Sequence, residues 1–212
     1  MRDFIKDPDT WLSVITILIA LFAIFQTKKQ IKLSNKHKLF ERRIDKYSLI
    51  CDLFHMYSEN RLHIINDDNL CEVVDLPFSW LTNNAYLAEM NSVIGHPLEQ
   101  SEQNVFLIKC EKLEKFSSEI SIIFKGKEAE LSSRFVRQYS DLLRSMYKQQ
   151  IALDLLNKRN VQEVMPLDVF KKLAKDYSEK VKLNDNLQRI DKTFEEMTKC
   201  NVLNKILNQV KL

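Results

Sequence analysis

Residues Trp11–Phe25, WLSVITILIALFAIF, carry no charge, and Lys28 and Lys29 follow almost at once. As a helix this run rises about 22 Å, short of the ~30 Å hydrocarbon core of a bilayer. Extended to Thr10–Thr27 it reaches about 27 Å, enough if the two lysines snorkel and the bilayer thins slightly. Trp11 stands where an interfacial aromatic anchor belongs. Two other readings compete: a core helix buried on every side has the same composition, and a signal peptide is also short and apolar. Asp3, Asp7 and Asp9 spoil the basic head that a signal peptide needs, and no small-x-small cleavage site follows. The stretch therefore predicts a single transmembrane helix.

Orientation follows from the basic residues. Arg2 and Lys6 precede the span, whereas Lys28, Lys29, Lys32, Lys36, Lys38, Arg42 and Arg43 follow it within one short stretch. This asymmetry places the C-terminal side in the cytoplasm and leaves a short N-terminus outside. Cys51, Cys71, Cys110 and Cys200 are then expected to be reduced thiols. The expected organisation is an external segment at 1–9, the span at 10–27, a basic juxtamembrane segment and long helix at 28–60, and a cytoplasmic helical bundle at 61–212.

The net charge of +3 is local: residues 28–43 hold seven positive charges against Glu41, so the rest of the chain is net negative. A basic cluster beside a span suits the anionic inner leaflet, at about 1 kcal/mol per residue near the surface. Anionic lipid is thus the expected contact, and it leaves little reason to invoke nucleic acid. Within the span, Ser13, Thr16, Ala20 and Ala23 are spaced three, four and three, and Thr27 extends the stripe. A stripe of small residues lets two helices approach closely, so this face is expected to self-associate.

Only Gly95 and Gly126 occur, with Pro8, Pro77, Pro97 and Pro166. Sheets need tight turns, and tight turns lean on these residues; the chain reads as all-α. Nothing between Gln26 and Asn60 stops a helix, so the span should continue to about Asn60. Phe40, Ile44, Tyr47, Cys51 and Phe54 form a heptad seam along it, a candidate coiled coil between chains. Residues 66–77 read as a loop, and helices are expected over about 79–94, 101–124 and 128–158. In the second, Val105, Ile108, Leu113, Phe116, Ile120 and Ile123 should face one side; in the third, Leu131, Phe135, Tyr139, Leu142 and Met146. Beyond Pro166, Leu183, Leu187, Ile190, Phe194 and Met197 define a final helix or helix pair.

Catalytic signatures are absent from the sequence. Two isolated glycines cannot supply a phosphate-cradling loop, and there is no G-x-S-x-G, H-E-x-x-H or C-x-x-C. The one metal-like pattern is Cys51, His55, Glu59 and His63, spaced by four, with Cys71 following. On a helix these share a face, as ligands would need. Cys51 also belongs to the apolar seam, and the other three make an ordinary polar helix edge. No metal, cofactor or enzymatic activity is assigned.

Leu39-Phe40-Glu41-Arg42-Arg43, with Tyr47 four positions on, lies just after a single N-terminal span. In this arrangement the chain resembles uncharacterised bacterial single-pass inner-membrane proteins with a helical cytoplasmic domain, some of them neighbours of anti-phage defence genes. The resemblance implies a membrane accessory or effector protein and carries no active site with it. The expected function is that of a non-enzymatic, membrane-anchored helical protein that self-associates as a homo-oligomer and engages a cytosolic protein. The alternative is a membrane-permeabilising effector of an anti-phage defence or toxin system, its spans gathering so that Ser13, Thr16 and Thr27 face an aqueous path.

Overall fold

A computed structural model describes residues 8–66, 69–162 and 164–211. The segment expected to lie outside the membrane, 1–9, falls almost wholly outside these residues. The described chain is all-helical: α1 (Pro8–Ile65), α2 (Asp75–Thr82), α3 (Asn91–Gly95), α4 (Gln100–Ile123), α5 (Gly126–Gln162), α6 (Leu167–Lys180), α7 (Leu183–Lys199) and α8 (Val202–Val210). Two units emerge, one ending at Arg42 and the other covering Arg43–Lys211. The described part of the first is the portion of α1 up to Arg42, and the rest of α1 belongs to the second.

In the second unit α5 is the centre, packing on α2, α4, α6, α7 and α8. Leu131, Phe135, Tyr139, Leu142 and Met146 are all buried, as their three-four spacing predicts. Gly126 opens α5 at φ 81, and an added Cβ would come within 2.7 Å of Glu128 Oε2. Glycine therefore ends one helix and starts the next there without the strain a side chain would bring.

On α1 the buried stripe is Leu49, Ile50, Leu53, Met56, Tyr57 and Ile64. Phe54 flanks it, stacking on Phe194 of α7 at 4.6 Å and lying 6.0 Å from Phe135. Each fully buried large side chain contributes about 1.5–3 kcal/mol, so this stripe is what holds α1 in the bundle. An ion-pair network reinforces it. Arg61 donates to both carboxylate oxygens of Asp191 and to Glu195 Oε1 at 2.8 Å, and Tyr57 Oη donates to Asp191 at 3.3 Å. The Arg61 guanidinium also lies 5.4 Å from the Phe194 ring. These contacts raise the Arg61 pKa, the hydrogen bond to Asp191 foremost.

Three expectations need correction. The helix expected over 79–94 is broken: α2 stops at Thr82, a 3-10 turn covers Ala88–Met90, and α3 follows. The polar run Thr82-Asn83-Asn84 supplies the reason. Thr82 Oγ1 donates to the Phe78 carbonyl and meets the Asn91 side chain, while Asn84 Oδ1 accepts the Leu87 amide at 2.7 Å. Short polar side chains thus outcompete the helical pattern locally. On α4 the buried face is Phe106, Cys110, Leu113, Phe116 and Ile120, whereas Ile108 is 49% exposed and Val105 and Ile123 are half-buried. Lastly, the chain beyond Pro166 forms three helices. Lys182 (φ 58) and Asn201 (φ 50) take left-handed conformations that separate α6, α7 and α8. Asn tolerates this region well and lysine does so rarely, so the first break carried no sequence signal. The stripe Leu183, Leu187, Ile190, Phe194 and Met197 is buried throughout α7.

Candidate functional site

The apolar stretch that opens α1 has no protein to pack against. In its most apolar 18-residue window no residue is buried inside the chain. Leu12, Ile17, Leu18, Phe22 and Ile24 are all more than half exposed, and with Ser13, Thr16 and Ala20 exposed as well every side of the helix is open. A helix in the core of this chain would bury these faces, and this one buries none of them. Ser13, Thr16, Ala20, Ala23 and Thr27 are exposed along the same stretch. Thr16 Oγ1 donates to the Leu12 carbonyl and Thr27 Oγ1 to the Ala23 carbonyl, both at 2.8 Å. Both hydroxyls are thereby satisfied within their own helix and need no neighbour or water.

Of the basic residues, Lys28, Lys29, Lys32, Lys36, Lys38 and Arg42 are exposed. Arg43 differs. Its Nη1 donates to the Gln209 carbonyl at 2.8 Å, satisfying one of the last carbonyls of α8. Gln209 in turn accepts the Lys125 amide and donates to its carbonyl. Arg43 is thus a strut of the bundle and not part of the exposed basic row.

The heptad seam divides in the same way. Phe54 is spent on Phe194 and Phe135 within the chain. Tyr47 and Cys51 are half-buried; the neighbouring Cys51 thiol and burial push Tyr47 up to about 12, and burial raises the Cys51 thiol. Phe40 is half-buried and Ile44 is 41% exposed. A contact with a second chain would therefore have to use the N-terminal part of the seam. The stripe that α1 buries within the chain, Leu49, Ile50, Leu53, Met56 and Tyr57, lies on a neighbouring face of the same helix.

The proposed ligand edge does not converge. His55, Glu59 and His63 are exposed, with His55 edge-on to Phe54 and His63 near Trp80. Among the described residues no three His, Cys, Asp or Glu side chains gather as metal ligands. All four cysteines are free of disulfides.

Among the described residues, then, the protein is an all-helical chain with one helix long and apolar enough to cross a membrane. No family model, curated protein or solved structure matches it.

Proposed function

We propose that this is a membrane-anchored helical interaction protein, tethered by residues 10–27 with its bundle on the cytoplasmic side. The observation that carries the reading is the complete exposure of Trp11–Phe25, on a helix whose later turns bury Ile50, Leu53 and Tyr57. An apolar surface of this extent is stable only against lipid or another apolar helix. The exposed row Lys28, Lys29, Lys32, Lys36, Lys38 and Arg42 supports an anionic-lipid contact beside it. Self-association would use the small-residue stripe, where Ala20 and Ala23 leave room for a second backbone.

The internal hydrogen bonds of Thr16 and Thr27 favour a tether over a water-lined path, since both hydroxyls are already paired. A permeabilising effector would instead collapse the membrane potential. The test is expression of the full chain in bacteria, followed by alkaline carbonate extraction, protease protection of intact spheroplasts, and a voltage-sensitive dye. Retention in the membrane pellet, a protected C-terminal domain and an unchanged potential are the expected results. Release by carbonate would refute the anchor, and depolarisation would replace the tether with the effector.

A further inference from the structure

A groove of about 630 Å³ in the Arg43–Lys211 unit is bordered by the end of α1, residues 70–72, α6 and α7. Its apolar lining comes from Ile65, Leu70 and Leu187, the last two buried. Lys171, Lys172 and Lys175 of α6 form a basic edge. The acidic residues of the groove are already engaged. Glu72 pairs with Lys171 at 3.4 Å, and Asp191 is held by Arg61 and Tyr57. Neither Lys172 nor Lys175 has an ion-pair partner among the described residues, and both stand beside the apolar side chains of Ile65, Leu70 and Leu187.

We propose that this groove receives an amphipathic helix with an acidic edge from a cytosolic partner protein, which rests on the interaction-protein reading above. Such a helix would set apolar residues at i, i+3 and i+4 against Ile65, Leu70 and Leu187, with carboxylates meeting Lys172 and Lys175. Charge complementarity selects this occupant: an apolar groove alone would take many helices, and the lysine pair penalises basic ones. The volume lies within the about 300–1,000 Å³ range of binding pockets and suits a few side chains. Ile65 lies about 33 Å further along α1 than Arg43, at 1.5 Å per residue. The opposite end of the unit, where Arg43 meets Gln209, is thus occupied by its own chain.

The test uses the full chain in nanodiscs of neutral lipid and a synthetic 16-residue helical peptide with a leucine stripe flanked by glutamates. Its controls are the same peptide with lysines for glutamates and a scrambled acidic sequence. Binding of the acidic peptide at least tenfold tighter than either control is expected. Lys172→Glu with Lys175→Glu should weaken it about tenfold and reverse the preference toward the lysine peptide. A bromoacetyl group at the peptide's end should label Cys71, which lines the groove, in preference to Cys51 and Cys200. Equal binding of all three peptides, survival of binding in the double variant, or labelling elsewhere would each overturn the proposal. So would displacement of the bound peptide by anionic vesicles, which would make lipid the occupant. Carbonate extraction of the same double variant keeps the two readings apart, because anchoring by residues 10–27 does not involve the groove.

Discussion

Replacing Leu18 with aspartate asks most directly what surrounds the first turns of α1. Leu18 lies near the middle of Thr10–Thr27 and is 59% exposed. If that exposure were to water, a carboxylate would cost the fold almost nothing and would improve solubility. In a bilayer the same change removes a residue worth about −0.3 to −0.6 kcal/mol and installs one costing about 2.5–3.5, a loss of about 3–4 kcal/mol. Leu12, Val14, Ile15, Ile17, Leu18, Ile19, Leu21, Phe22, Ile24 and Phe25 supply the favourable side. Even with every one of them at its mid-bilayer value, they sum to about 3–6 kcal/mol. Leu18→Asp should therefore leave the span marginal, and Leu18→Asp with Leu21→Asp, at about 6–8 kcal/mol, should abolish insertion. Quantitative blotting of pellet and supernatant after carbonate extraction gives the assay, with total expression as the reference. A graded series is expected, with the wild type in the pellet, the single variant divided and the double variant in the supernatant. A double variant that stays in the carbonate pellet would refute the reasoning.

Other outcomes follow from the bundle and the span. Arg61→Met strands Asp191 in a three-quarters-buried site and removes the Glu195 bond, a loss of about 2 kcal/mol between the exposed-pair and buried-pair limits. That should lower the melting temperature in detergent by about 4–8 °C for a unit of this size. A drop under about 1 °C would mean that the network contributes nothing. The Glu195 carboxylate is held below its ordinary value of 4.5, first by Arg61 and then by Lys199. Its contribution is thus fully present above pH 4.5 and lost as pH falls through the lowered value, so acid titration should show less loss below pH 4.5 in Glu195→Gln than in the wild type. Ala20→Leu with Ala23→Leu should weaken the two-hybrid signal between membrane-inserted copies without changing carbonate extraction; an undiminished signal would remove the small-residue face.

The sequence by itself determined what depends on local composition. Fifteen uncharged residues and two glycines in 212 residues were enough for one membrane-length helix and an all-helical chain, as the described residues bear out. The long α1 and the buried stripes of α5 and α7 were legible because each repeats at the helical period over several turns, where one irregular residue cannot change the answer. Tertiary structure decided what depends on which neighbour arrives. Phe54 reads as a seam residue until Phe194 stacks on it, and Arg43 reads as part of the basic row until the Gln209 carbonyl accepts its hydrogen bond. Ile108 and Phe106 are equally apolar, and only the placement of α5 buries one and leaves the other in solvent. Thr82-Asn83-Asn84 and Lys182 break helices through single side-chain bonds and one left-handed residue, events too local to disturb a periodic pattern. The groove beside Lys172 and Lys175 lies furthest from the sequence. Its walls come from residues about a hundred positions apart, and only packing brings Ile65 and Leu70 opposite Leu187.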